Sequence, residues 1–529
     1  MNMRSNRVFR LALAPIGALA AIGMLASCAG GGAAPAGKAD IVLAVKDDPV
    51  CLDPQQVTLT TALNIGRQVV DSLVDQDAKT GEIVPWLAES WEPNDDLTEF
   101  TFNLRDDVTF SDDSALTATT VKANFDALFE MGAAASLASQ YLAGYTGTEV
   151  VDEDTATVSF EAPNAQFLQG ASTITLGLVS DASAAATPEE RCQEVVGSGP
   201  FTVDSYISND SLVLVKRAGY DWASELRGHQ GEALVDSITF PITPESGVRS
   251  GGLQTGEFDI IQDLPATDEA RFDNADYNIY ARANPGVPHA LVPNTTRPIV
   301  ENEAVRQAML LGTDRAEITA LTGSSQSNPV SGALSSATPG YVSQADALEY
   351  NPDEAIEILE EDGWELGDDG IREKDDTRLT VTVTAFYGQD VLEATQIQLA
   401  KVGIDLQLNM VTAGDFFGAI ASKDYDFLGA GLTRTDPDVL RVMFSSEAVS
   451  KWAIVDDAEL ESMLQEQAQS ADPQERQELI ADIQKTIIDS AYLVPLLEVA
   501  QVHASTANVT GLAFDSSSRL ILYDVQVAE

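Results

Sequence analysis

The chain has 529 residues, more than one hydrophobic core usually organises, so two or three domains are expected. An apolar content of 44% and an aromatic content of 7% fit a globular protein and not a disordered one. With 83 acidic against 30 basic residues, the net charge of −53 argues against binding to nucleic-acid phosphates or docking on anionic lipid, and leaves any small ligand open.

The N-terminus carries Arg4, Arg7 and Arg10, no acid before Asp40, and an apolar stretch from Leu11 to Ala26 that is short for a membrane span. This is the pattern of a secretory signal peptide over residues 1–27. It ends in Leu25-Ala26-Ser27-Cys28, which resembles the bacterial lipobox; the resemblance implies cleavage before Cys28 and a lipid on its sulfur. The segment GGGAAPAG at 30–37 lies in a flexible tether, residues 28–38, that would let a folded body stand off a membrane.

Short elements then alternate. Asp40–Val45 reads as a buried strand and Glu99–Leu104, EFTFNL, as a half-buried one. Thr117–Glu130 opens with threonine caps and places Val121, Phe125, Leu128 and Phe129 on one helical face. Thr155–Phe160 and Ser211–Lys216 are strand-like, whereas Asn302–Leu311 and Pro352–Glu361 are amphipathic helices. A strand run from Leu379 to Tyr387, a helix over Glu393–Val402 and a strand over Asp405–Met410 follow. Phe427–Leu432 is the next strand, and Pro473–Ser490 a long helix with proline in its first turn. The mixture indicates α/β lobes with mixed sheets.

Signals for catalysis are weak. None of His229, His289 and His503 has a second histidine or a cysteine at metal-ligand spacing, so no metal or other cofactor is expected. Lys79-Thr80-Gly81 spells a β-lactamase motif without the S-x-x-K that chemistry needs, and reads as a turn. Asp436 and Asp438 sit too close in one loop to flank a glycosidic bond, which leaves an extracellular hydrolase as the reading of a different class.

An ordered set of segments carries a resemblance. Leu52-Asp53-Pro54, the PWLAESW at 85–91, the FNLRDDVTF at 102–110, the VGSGPF at 196–201, the LQTGEFDI at 253–260, the VRQA at 305–308 and Thr313-Asp314-Arg315 follow one another. Tyr350-Asn351-Pro352 and Asp362-Gly363-Trp364 complete the set. In this order they resemble the family 5 extracytoplasmic solute-binding proteins of peptide and nickel ABC importers, over about 40–525. The resemblance implies an α/β, periplasmic-binding-protein-like type II two-lobe hinge fold with an inserted third subdomain. Lobe one would combine 39–77, 197–283 and a C-terminal return at 495–529, with the subdomain at 78–196 and lobe two at 284–494. It further implies a monomer that hands a small-molecule or peptide-like solute to an ABC permease and its ATPase subunits, outside the cytoplasm and held to the membrane by Cys28. Cys51 and Cys192 fall near the same lobe on this map, which favours a disulfide over two buried thiols.

The resemblance also places the loop after Phe427–Leu432 in the cleft. Where peptide-binding members hold the ligand's α-amine with an aspartate, this chain has Thr433-Arg434-Thr435, followed by Asp436-Pro437. Arg434 therefore reads as a contact for an acidic ligand group or as a partner of Asp436, Asp438 or an acid across the cleft. Asp436 or Asp438 can cap the helix that starts near Val439. Thr433, Asp436, Tyr387, His289, Thr58 and Thr60 are the remaining candidate ligand contacts; Tyr387 reads equally as a core aromatic, and His289 more readily as an ordinary surface or turn residue. Arg306 and Arg315 read as structural, paired with acids such as Glu303 or Asp314. A metal–chelator complex, held by arginine and hydroxyls, is the alternative solute.

Overall fold

A computed structural model describes residues 40–448 and 451–528, apart from the side chain of Ala133; the expected signal peptide, Cys28 and tether lie outside the described residues. The first sheet has seven strands in the order Tyr277–Ala283, Ala500–Thr506, Ile260–Ile261, Asp40–Ala44, Ser237–Pro241, Ser211–Lys216 and Phe201–Ile207. Asp40–Ala44 runs parallel to both neighbours and fully buries Ile41, Leu43 and Ala44. A strand covered on both faces reads as an apolar run, which is why it was visible without alternation.

A second sheet of five strands runs Asp405–Met410, Thr380–Ala385, Phe427–Thr433, Gly286–Pro293 and Val494–Leu497. Phe427–Thr433 lies at its centre: Phe427, Leu428 and Ala430 are buried, while residues 431–433 emerge half-buried at the cleft. The helix Pro473–Asp489 covers this lobe, with Asp472 accepting from the N–H groups of Gln474 and Glu475 at its start. It buries Ile480, Ile483, Ile487 and Ile488, each contributing about 1.5–3 kcal/mol of transfer free energy.

A third sheet, Ala88–Pro93, Glu99–Leu104, Thr155–Phe160 and Tyr145–Val150, belongs to the subdomain. Phe167 packs between Phe100 and Phe160, with ring centroids 4.9 and 4.8 Å away, and this aromatic core is continuous with that of the seven-stranded sheet. The helix Ala118–Met131 closes it, with Thr117 as N-cap. Phe129 departs from the expected apolar face: it is 55% exposed, its ring lying against Tyr145 instead of inside the core.

The chain crosses between the two large sheets at two neighbouring places, Asn284-Pro285 and Glu498-Val499, and the Asn284 N–H donates to the Val499 carbonyl at 2.8 Å. These paired crossings form the hinge. Arg306 and Arg315 are structural, but not through the acids expected. Arg306 donates to the carbonyls of Val300, Glu301 and Ser490, and Arg315 to those of Leu310, Thr313, Leu348 and Pro495. Buried loop carbonyls need donors, and a five-donor fork supplies several at once. Burial pulls the Arg315 guanidinium down to about 9.

Cys51 and Cys192 are joined by a disulfide that closes 141 residues. The same strip holds the Leu52 N–H on the Cys192 carbonyl and a buried Arg191–Asp53 ion pair at 2.8 Å. A cross-link over so long a loop removes much denatured-state entropy. Reduction should lower unfolding stability by about 2–4 kcal/mol, read as a fall in the urea midpoint with dithiothreitol that the Cys51→Ser, Cys192→Ser double variant no longer shows.

Candidate functional site

Beyond the central strand of lobe two, Arg434 anchors its N–H on the Pro285 carbonyl at 3.0 Å, beside the hinge. Gly286 makes this approach: its φ is +108°, and a Cβ there would lie 2.1 Å from the Leu432 carbonyl oxygen. The Arg434 side chain is 5% exposed, and its guanidinium carbon lies 5.0 Å from the ring centroid of Tyr141, which the subdomain contributes. This is a cation–π contact made across the cleft. Among the described residues, Nη1 and Nη2 of Arg434 are buried with no hydrogen-bond partner.

The neighbouring acids do not neutralise it. Asp436 takes both Nη atoms of Arg476, at 3.1 and 2.5 Å. Asp438 takes Nε and Nη2 of Arg441, each at 2.7 Å, and the Gln467 amide at 2.5 Å. Asp438 holds the N-cap position of the helix Val439–Phe444 but its carboxylate makes no capping bond; Asp436 accepts from the Asp438 N–H at 2.8 Å instead. Both expectations for these acids are therefore corrected: neither pairs with Arg434 and neither caps through its side chain. The two-pronged arginine geometry outcompetes a single backbone donor. Asp436 is occupied by Arg476 and offers no free carboxylate to a ligand.

The facing wall comes from the C-terminal loop of lobe one. The Thr435 and Ser517 hydroxyls meet at 3.1 Å across the cleft. Arg519 Nη1 donates to the Thr60 hydroxyl at 3.2 Å, and burial lowers the Arg519 pKa. Asp515 shapes the loop by accepting from the N–H groups of Ser517 and Arg519, and it pairs with Arg67 at 3.2 Å. Tyr141 lies in the field of both Arg434 and Arg519, although burial still raises its phenol. Its ring also fills the space above Gly170, next to Gln169, whose amide nitrogen and oxygen are both buried without hydrogen-bond partners among the described residues. Across the same opening the Ala165 N–H donates to the Ala468 carbonyl at 3.3 Å, so the two lobes are closed on each other.

The other expected contacts divide. Thr60 joins the site, Thr433 ends its strand half-buried opposite Gly286, and Thr58 is exposed. Tyr387 spends its hydroxyl on the Gly431 N–H at 2.8 Å and lays its ring on His289, centroids 4.9 Å apart. His289 is 2% exposed under Gly388, where a Cβ would lie 2.0 Å from the imidazole, so it is an interior residue and not one of a turn. Tyr141, Gln169 and Arg519 were missed. Arg519, a lone cation after Ser516-Ser517-Ser518 in an acidic chain, carried a readable signal; the other two carried none.

Comparisons with known proteins bear on this geometry. The profile of the bacterial extracellular solute-binding proteins, family 5 (middle), matches residues 82–451. The glutathione-binding protein GsiB of Shigella dysenteriae serotype 1 is 25% identical over 528 residues, covering 96% of each chain. The crystal structure of NikA from Brucella suis in complex with Fe(III)-EDTA superposes with a TM-score of 0.78 at 21% identity, covering 92% of this chain and 100% of NikA. DppA from Helicobacter pylori in complex with the peptide STSA gives 0.74 at 21%, covering 93% of this chain and 99% of DppA.

Burial pulls the His289 imidazole down to about 4, and that of His503 to about 3, so both fit the fold only when neutral. Their stabilisation is complete above the unfolded value of 6.5 and is lost as pH falls toward the folded values. Asp71, raised by burial to about 6, acts in the opposite sense, stabilising at low pH and losing that contribution as pH rises through 6. Between about pH 7 and about pH 5 the protein should lose about 2 kcal/mol more urea stability than its His289→Gln variant. Equal slopes would show that the ring is not held neutral.

Proposed function

Because the chain belongs to the bacterial extracellular solute-binding proteins of family 5, we propose that its two lobes close over a small solute that carries a carboxylate, and that Arg434 receives that group. Membership makes it the solute-binding component of an ABC importer, working with a permease while ATP hydrolysis belongs to other subunits. The observation that carries the carboxylate reading is the pair of buried Arg434 Nη atoms without a hydrogen-bond partner among the described residues. A guanidinium offers two parallel N–H donors that match a carboxylate, and burying such a charge without an acceptor costs several kcal/mol. Arg519 and the Thr60 hydroxyl face it from the other lobe, so a ligand held by both sides favours the closed form over the open one.

Glutathione and EDTA, the ligands named for GsiB and NikA, both bear carboxylates. A metal–chelator complex is the second reading, and it draws on the same two guanidiniums on opposite lobes. Thr433 and Gln169 complete the polar wall. The reading is binding without turnover. On it, the mature protein is a monomer outside the cytoplasm, anchored by a lipid on Cys28.

Native mass spectrometry of protein purified from its own host should reveal a co-purified small carboxylate, and Arg434→Ala should bind that compound about tenfold or more weakly in calorimetry. A bound solute with no acidic group, or undiminished affinity in the variant, removes the assignment. Cys28→Ser should move the protein from the membrane fraction to the medium or periplasm; retention with the membrane argues against the anchor.

A further inference from the structure

A cavity of about 280 Å³ opens beside the hinge, lined among others by Arg282, Gln326, Ser327, Asn328, Ser336 and Glu498. Its walls come from both sides of the hinge: Arg282 belongs to the seven-stranded sheet, the serines and amides to loops of lobe two. Glu498 sits in the second crossing itself and is 4% exposed. Its Oε1 accepts from the Ser336 N–H and its Oε2 from the Ser336 hydroxyl, each at 2.8 Å.

Among the described residues no lysine, arginine or histidine forms an ion pair with Glu498. Asp436, Asp438 and Asp515, buried at the cleft, each hold an arginine, whereas Glu498, like Glu269 on Ser325, is held by serine donors. Arg282 does not fill the gap. Its Nε donates to the Ser518 hydroxyl at 3.1 Å and its Nη2 to the Ala78 carbonyl at 2.8 Å, away toward the C-terminal loop. The carboxylate is thus left beside an open volume with hydroxyl and amide groups on the same walls, and two Ser336 donors leave it acceptor capacity.

We propose that this hinge cavity binds a primary ammonium group, with Glu498 supplying the charge and the Gln326, Ser327 and Asn328 side chains the further acceptors. Three N–H donors on a compact cation match one carboxylate plus neutral oxygens, while the Arg282 guanidinium on the same wall is turned to Ser518 and Ala78. The volume suits an amine of a few heavy atoms or the amino end of a larger solute. Because the two lobes share the walls, an occupant bound there stabilises closure. The site does not depend on Arg434 touching the cargo.

The probe is butylammonium, with tetramethylammonium, which has no N–H, as the charge-matched control. Calorimetry on the folded mature protein should show butylammonium binding and none of the control. Glu498→Gln should weaken it about tenfold or more, and Ala283→Leu, which fills the cavity without touching the charge, should weaken it too. Competition between butylammonium and the co-purified solute would assign the ammonium to the cargo; independent binding would assign it to a separate small amine, and both support the site. Equal affinity in Glu498→Gln with a native circular dichroism spectrum, equal binding of tetramethylammonium, or no binding at tens of millimolar overturns it. If Glu498→Gln does not fold, Ala283→Leu decides alone.

Discussion

The closed cleft holds a buried guanidinium that lies on an aromatic face and whose two Nη atoms have no hydrogen-bond partner among the described residues. Arg434 reaches across from lobe two to the Tyr141 ring, while the acids two and four residues further on are engaged by Arg476 and Arg441. Those two pairs explain why the charge stays available. A carboxylate already held by a two-pronged arginine gains little by turning to another. The loop is thereby rigid in its acids and uncommitted in one cation, an arrangement suited to meeting an exogenous anion. On the proposed carboxylate reading, a surface arginine would sacrifice nothing by waiting for a ligand; a buried one sacrifices its hydration, so closure over an anion would be favoured relative to closure without one.

That bias can act only because the two large sheets are joined at a narrow place. The crossings at Asn284-Pro285 and Glu498-Val499 share the Asn284–Val499 backbone hydrogen bond, and the contacts between the lobes among the described residues include the Thr435–Ser517 hydroxyl pair, the Ala165–Ala468 backbone bond, the Tyr141–Arg434 contact and the Glu269 carboxylate, which accepts from the Ser325 N–H and hydroxyl. Each bond is worth about 1–3 kcal/mol in net terms. Contacts of that size do not lock a hinge. They set a shallow balance that a bound solute can tip by differential affinity.

Much of the scaffold was legible in the sequence, because strands buried on both faces and helices with capped starts leave periodic traces. Ser211–Lys216, Thr155–Phe160, Asp405–Met410 and Pro352–Glu361 have the boundaries expected of them. What failed were pairings. Phe129 has the right helical phase yet lies beyond the edge of the core, and Arg306 and Arg315 chose carbonyls over nearby acids because buried loop backbone had the greater need for donors. Proximity in sequence suggested that Asp436 and Asp438 would serve Arg434. Arg476, forty residues away in the chain, takes Asp436 because a helix brings it there. Tyr141 and Gln169 were invisible for the same reason: their role comes from a subdomain closing onto a distant loop, and no local pattern encodes that.

The net charge of −53 sharpens the meaning of the few cations that remain buried. In such a chain an arginine can find a carboxylate almost anywhere, and Arg67, Arg191, Arg227, Arg441 and Arg476 all do. An excess of acids makes an unpaired buried acid ordinary in number but not in cost, since each still has to surrender its hydration. Arg306 and Arg315 turn instead to backbone carbonyls, so what sets Arg434 apart is that its Nη atoms are hydrogen-bonded to neither an acid nor a carbonyl among the described residues; it lies beside one hinge crossing, and Glu498, held by Ser336 and no cation, lies in the other. A solute carrying only a carboxylate would satisfy the first and leave the second to a separate amine; a zwitterionic one could satisfy both. On these two proposals the charge pattern of the cargo follows from one buried guanidinium and one buried carboxylate at the hinge.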